Sequence, residues 1–170
     1  PGRFGNIEGN SNQQCQACPV GKYTSLAGEA ECSNCPPGGF CAVPAAVSER
    51  QVWVACDPGS YSEVAGANSS DACIPCPIGT ASLTVGAFNA STCEQCAPGT
   101  RVDAPGQQRC TPCEPGSYQP NLGATACDNC TRGHYCVKGT TRPIPCPDGT
   151  VGTRRGLTSE AECAECPPGY

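Results

Sequence analysis

Thiols are the side chains of this sequence with the most chemistry open to them, and 18 of its 170 residues are Cys. Fourteen form Cys-x-x-Cys pairs: Cys15 and Cys18, Cys32 and Cys35, Cys73 and Cys76, Cys93 and Cys96, Cys110 and Cys113, Cys127 and Cys130, Cys163 and Cys166. Such pairs serve four-thiolate zinc sites, dithiol redox centres or disulfide frameworks. Two successive pairs such as Cys15, Cys18, Cys32 and Cys35 satisfy zinc spacing. Zinc leaves Cys41, Cys56, Cys136 and Cys146 unexplained, however, and it does not demand the glycine pattern described below. The redox use needs a thioredoxin-like βαβ context, which is absent. An oxidised, secreted disulfide framework is therefore favoured, with no metal and no cofactor.

Other reactive groups are sparse. His134 is the single His and sits in the turn Gly133-His134-Tyr135, where a solvated loop residue is expected. Glu160, Glu162 and Glu165 flank Cys163 without the alternating ligands of a calcium loop. Arg154-Arg155 reads as a solvated loop pair rather than a processing site. No Ser-His-Asp set, phosphate-cradling glycine loop or spaced carboxylate pair appears, so no enzymatic activity is expected. With a formal charge of −5 and no longer basic run, nucleic acid is not an expected partner. No apolar stretch approaches the roughly 18–20 residues of a membrane helix.

The elements that hold these cysteines cannot rest on an ordinary core, because only 21 residues are Leu, Ile, Val or Phe while 39 are Gly or Pro. What organises the chain is a repeat. After each of the main cysteines Cys18, Cys35, Cys56, Cys76, Cys96, Cys113, Cys130, Cys146 and Cys166, the residue three positions on is Gly. Pro often precedes that Gly, as at Pro37, Pro58, Pro98 and Pro115, which predicts a Pro-Gly turn with Gly at positive φ. An aromatic often follows two residues later, as at Tyr23, Phe40, Tyr61, Tyr118 and Tyr135; these rings are expected to stack over disulfides.

Seven main cysteines have a second Cys three positions earlier, whereas Cys56 and Cys146 have Trp53 and Pro143 there. Each exceptional unit follows one with an extra Cys, Cys41 or Cys136, six residues after its main Cys, so a cysteine has been moved rather than lost. A longer period overlies the short one: Cys15 to Cys41 recur 95 residues on at Cys110 to Cys136. The expected organisation is a first long repeat over 1–109, holding an incomplete unit and then units at Cys15, Cys32, Cys56, Cys73 and Cys93, and a truncated second one over 110–170. Pro1-Gly2 fits the turn after a missing Cys, and Cys166-Pro-Pro-Gly-Tyr170 opens another unit, so a longer array is expected.

Two connectivities fit. A sequential ladder pairs Cys18 with Cys32, Cys35 with Cys41, Cys56 with Cys73, Cys76 with Cys93, Cys96 with Cys110, Cys113 with Cys127, Cys130 with Cys136 and Cys146 with Cys163, leaving Cys15 and Cys166 for neighbouring sequence. A crossed scheme pairs Cys15 with Cys32 and Cys18 with Cys35, and so on, with Cys41–Cys56 and Cys136–Cys146 single. The ladder is favoured because its long loops are all of 14 or 17 residues. Closing a loop of ~15 residues contributes about 3 kcal/mol by chain entropy, so a series of them can replace a core.

The 17-residue loops carry a three-residue insertion after a loop Gly, and Asn68 and Asn89 lie in two of these insertions, each in an Asn-x-Ser/Thr sequon. Glycosylation is expected there, at exposed loop tips. Asn129, the third sequon, lies between Cys127 and Cys130, where oxidation is expected to hide it.

The segments Cys-Pro-Val-Gly-Lys-Tyr (18–23), Cys-Pro-Pro-Gly-Gly-Phe-Cys (35–41) and Cys-Ile-Pro-Cys-Pro-Ile-Gly-Thr (73–80) resemble the ephrin-receptor-like cysteine-rich repeats. The 18–32 loop also resembles the first loop of a tumour-necrosis-factor-receptor module. The resemblance spans essentially the whole chain and implies an extracellular, disulfide-rich rod, but names no ligand; Trp53 and Pro143 depart from its paired-cysteine rule.

The expected fold is small and disulfide-rich: an elongated tandem array of cysteine-rich modules made of turns and short β-hairpins, with almost no helix beyond a short turn near Ala45–Arg50. Trp53, alone of its kind, either covers the gap in its own module or anchors a contact between chains. The expected function is a structural extracellular or cell-surface glycoprotein segment that self-associates into a rod or filament. The alternative is a receptor or adhesion ectodomain binding another extracellular protein.

Overall fold

The computed structural model describes residues 2–5, 15–26, 28–48 and 52–167. It is a series of nine two-stranded antiparallel hairpins, with 3-10 turns at Ser70–Ala72, Ala90–Thr92 and Glu160–Glu162. Each hairpin starts where the sequence places the Pro-Gly turn. In the loop after Cys56, Ser60 donates its backbone N–H to the Asp57 carbonyl at 3.1 Å, closing a four-residue turn with Gly59 third at φ 87°. That turn needs positive φ at its third position and accepts Pro at its second. The hydroxyl of the next residue bonds the same carbonyl in several modules: Ser60 to Asp57 at 2.7 Å, Thr80 to Pro77 at 2.7 Å, Ser117 to Glu114 at 2.6 Å.

The two residues after the turn then pair with the two before the next main cysteine: Lys22–Tyr23 with Ser33–Asn34, Thr100–Arg101 with Thr111–Pro112, Thr150–Val151 with Ala164–Glu165. The hairpin Gly39–Cys41 with Trp53–Ala55 is one residue longer and sets Cys41 opposite Trp53. Two-stranded sheets of this length are not stable alone. Two things hold them here: the disulfides, and a backbone ladder from one module to the next.

The ladder has a fixed register. Each main cysteine donates its N–H to the preceding turn glycine, as Cys35 to Gly21 at 2.9 Å and Cys113 to Gly99 at 2.9 Å. Most turn glycines donate to the residue six positions after the next main cysteine, as Gly21 to Cys41 at 2.8 Å and Gly99 to Gln119 at 2.7 Å. Several loop glycines donate to the main cysteine of the module before their own, as Gly66 to Cys35 and Gly139 to Cys113, both at 2.8 Å. Buried backbone groups are thereby paired without long strands.

Cysteine is the most frequent residue type in the core. Cys18, Cys35, Cys41, Cys56, Cys76, Cys96, Cys113, Cys130 and Cys136 are all fully buried, and the only large aliphatic side chain buried as deeply is Leu157, among the described residues. The position six residues after the main cysteine is buried in module after module, whatever occupies it: Thr24, Cys41, Ser62, Ser82, Val102, Gln119, Cys136.

The chain divides into two compact units, Pro1–Cys76 with Ser82–Cys93, and Pro77–Ala81 with Glu94–Tyr170. Where a helical turn was expected near Ala45–Arg50, residues 45–48 hold a turn with Ala45 at φ 57° and Ala46 bridged in parallel to Tyr23, and residues 49 and 50 lie outside the described residues.

Candidate functional site

Eight disulfides link the described cysteines: Cys18–Cys32, Cys35–Cys41, Cys56–Cys73, Cys76–Cys93, Cys96–Cys110, Cys113–Cys127, Cys130–Cys136 and Cys146–Cys163. These are the pairs of the sequential scheme and none of the crossed one. Cα separations of 5.6–6.4 Å fit unforced bridging. Cys15 and Cys166 are exposed and unpaired. With the other thiols in disulfides, no group of three His, Cys, Asp or Glu residues among those described could hold a metal ion.

Two kinds of bridge differ in access. The 14- and 17-residue loops join a main cysteine to a half-exposed partner, Cys32, Cys73, Cys93, Cys110, Cys127 or Cys163. In the six-residue rings both ends, Cys35 with Cys41 and Cys130 with Cys136, are fully buried.

Trp53 is half-buried. Its indole N–H donates to the Pro36 carbonyl at 3.3 Å, and its ring lies against Gly39 and Gly86, where β-carbons would overlap it. The ring is thus packed both within its own hairpin, against Gly39, and against Gly86 of the Cys76 module.

The three sequons occupy different backbone settings. Asn68 is exposed and precedes Ser69, the cap of the Ser70–Ala72 turn. Asn89 itself caps Ala90–Thr92: its Oδ1 accepts the Ser91 N–H at 2.9 Å and also the Ser91 hydroxyl. Asn129 is exposed in a hairpin strand opposite Ser117.

His134 rests in its turn with Nδ1 against the Arg132 carbonyl at 3.0 Å and the Thr131 hydroxyl at 3.2 Å. The expected acidic cluster is separated by use: Glu162 accepts from the Thr158 hydroxyl and pairs with Arg154, while Arg155 is exposed. The Thr158 hydrogen bond, helped by Arg154, holds the Glu162 carboxyl below its ordinary range. Asp103 is lowered in the same way by the Arg101 hydrogen bond and charge.

Sequence reasoning missed the buried position six after each main cysteine. Its occupants share no chemistry, so residue type carries no signal; alignment of the modules on their glycines would have exposed it. Also missed was a second duty of the turn glycines. A β-carbon on Gly21 would overlap the carbonyl oxygen of Gly66, and one on Gly99 that of Gly139, each a loop glycine two modules further on.

A family profile described as tyrosine-protein kinase ephrin type A/B receptor-like matches residues 5–51 and 99–142, together more than half of the chain. The chain belongs to this ephrin-receptor-like family. Both matched segments of the ephrin-receptor-like chain contain a six-residue disulfide ring, Cys35–Cys41 and Cys130–Cys136. Among curated relatives, the human signal peptide, CUB and EGF-like domain-containing protein 2 is 29% identical over 99% of this chain and 12% of its own length. The sushi, von Willebrand factor type A, EGF and pentraxin domain-containing protein 1 of Mus musculus is 27% identical over 88% of this chain and 4% of its own length. The chain thus spans a small part of the relatives it matches, whose names describe multidomain proteins rather than enzymes. Eight disulfides in an ephrin-receptor-like array place the chain in an extracellular, oxidising setting.

Proposed function

We propose that this extracellular cysteine-rich domain is a structural glycoprotein segment: a disulfide-stapled rod whose copies associate laterally into filaments. The observation that supports it best is the repeated register in which most turn glycines bond the next module and several loop glycines bond back to the main cysteine of the module before their own. Such a ladder extends one module at a time and needs no ligand to complete it. The five-unit long repeat read from the sequence would then set the filament's axial period, with Trp53 as a lateral contact in the first repeat, where the second has Pro143, and glycans on Asn68 and Asn89 limiting others. A contact of this heterologous kind propagates rather than closes.

A specific observation favours a second reading, a receptor or adhesion ectodomain. Leu26, Val43 and Val64 each lie eight residues after a main cysteine and are all more than half exposed. Such a series could take a protein partner. Negative-stain electron microscopy of the secreted chain separates the two. Fibres with a regular axial repeat, lost in Trp53→Ala while the disulfides persist, support the structural reading. Dispersed particles at all concentrations overturn it and leave the ectodomain. Fibres that survive Trp53→Ala would confine Trp53 to its own module.

A further inference from the structure

The three sequons differ in what folding does to their middle residue. In Asn68-Ser69-Ser70 and Asn89-Ala90-Ser91 the middle residue belongs to an inserted loop. In Asn129-Cys130-Thr131 it is a main cysteine, fully buried and bridged to Cys136. The Cys130 N–H is committed to the Gly116 carbonyl at 2.8 Å. The Thr131 hydroxyl lies 3.2 Å from His134 Nδ1, and the Thr131 carbonyl accepts the His134 N–H at 3.3 Å. The Cys130 backbone between the acceptor Asn and Thr131 is therefore held in the ladder once the Cys130–Cys136 ring closes, while the Thr131 side chain stays at the surface, turned to His134. Asn129 itself remains exposed, so a glycan already attached does not obstruct the hairpin.

We propose that Asn129 is a conditional glycosylation site, whose occupancy is decided by a race between sugar transfer and closure of the Cys130–Cys136 disulfide. It rests on the glycoprotein reading above. In the transfer step, the Asn129 amide nitrogen forms a C–N bond to the anomeric carbon of a lipid-pyrophosphate-linked oligosaccharide. The anomeric C–O bond breaks, the lipid pyrophosphate leaves with the electron pair, and the amide proton is lost to a base of the transferase. In the competing step the two thiols are oxidised by the disulfide-forming machinery of the secretory compartment, which is reduced in turn.

The window is short. Cys136 follows Asn129 by seven residues, which a ribosome adding about 5–20 residues per second covers in about a second. Closure of so small a ring then meets little entropic resistance, leaving oxidation as the slow component. Once the ring has formed, the middle residue of the sequon, Cys130, is held in the buried ladder.

The test measures occupancy at all three sites in one secreted preparation from a glycosylating host, by enzymatic deglycosylation in heavy-oxygen water and peptide mass mapping. Cys136→Ser keeps the sequon intact and removes the competitor. The expected result is partial or absent Asn129 occupancy in the wild type, a severalfold rise in Cys136→Ser, and unchanged Asn68 and Asn89. Because that variant can misfold, wild-type chain synthesised under a brief dithiothreitol pulse gives a second reading with the same expectation. Full Asn129 occupancy in untreated wild type, or occupancy indifferent to both manipulations while Asn68 and Asn89 are filled, overturns the race and leaves the glycoprotein reading standing. If all three sites are bare in every sample, both fail.

Discussion

Gly99 and Gly133 are equivalent turn glycines in one compact unit, at φ 83° and 78°, yet they face different surroundings. A β-carbon at Gly99 overlaps the Gly139 carbonyl oxygen, and Gly139 cannot swing away freely because its own N–H is tied to the Cys113 carbonyl at 2.8 Å. A β-carbon at Gly133 meets nothing within 4 Å. Alanine at either position incurs the left-handed backbone cost of about 1–2 kcal/mol. At Gly99 it must also move packed backbone, which adds about 1–3 kcal/mol. With eight disulfides limiting the unfolded chain, global melting is a poor readout, so the comparison belongs to native-state amide exchange with the disulfides intact. The reporters are the Cys113 N–H, bonded to Gly99, and the Cys146 N–H, bonded to Gly133, both at 2.9 Å. At roughly tenfold per 1.4 kcal/mol, Gly133→Ala should speed exchange at Cys146 about tenfold, and Gly99→Ala should speed Cys113 by a further tenfold or so. Equal acceleration in the two variants would refute the close approach between modules as a reason for the glycine.

Graded reduction with alkylation mapping should open the bridges with half-exposed partners, such as Cys56–Cys73 and Cys113–Cys127, before Cys35–Cys41 and Cys130–Cys136, whose four cysteines are fully buried; early labelling of Cys41 or Cys136 would contradict this. Ser62 Oγ is buried with no hydrogen-bond partner among the described residues, so Ser62→Ala should leave local stability unchanged or raise it by up to about 1 kcal/mol, measured by exchange at the Cys56 amide. Asp103 and Glu162 should titrate below the ordinary carboxylate range in a carbon NMR titration, with Arg101→Gln returning Asp103 and Thr158→Val returning Glu162 toward it. Because both folded values are lowered, their contribution is present above the unfolded pKa, about 4, and fades as pH falls through the lower folded value.

The parts of the fold legible in the sequence are those fixed by one residue type at one spacing. Gly at the third turn position marks every hairpin start, and the constant 14- and 17-residue intervals favour the sequential pairing, although the crossed one has regular intervals too. The loop insertions were readable as length differences, and the family from the Cys-Pro-x-Gly segments 18–23 and 35–41, which fall within its matched stretch. What was not legible depends on contacts between modules. The turn glycines look like a purely local requirement until Gly66 and Gly139 are seen against Gly21 and Gly99. Trp53 could be recognised as irregular, but its bond to Pro36 and its packing on Gly39 required the cross-strand register.

That register also accounts for the moved cysteine. Across each hairpin, the position six after one main cysteine faces the position three before the next, as the pairing of Cys41 with Trp53 makes explicit. In the regular modules the second of these is a Cys that reaches the main cysteine, and the first is a small or apolar core residue such as Thr24 or Val102. When the Cys is placed at the first position instead, it closes a buried six-residue ring and leaves the facing strand without a staple. The first such gap is filled by an indole, which supplies a hydrogen bond and a packed ring where a sulfur bridge would have stood; the second is occupied by Pro143, whose fixed φ restricts the approach to the strand Ile144–Pro145. The total number of bridges is conserved because the two facing positions compete for one partner, the main cysteine, and only one of them can have it.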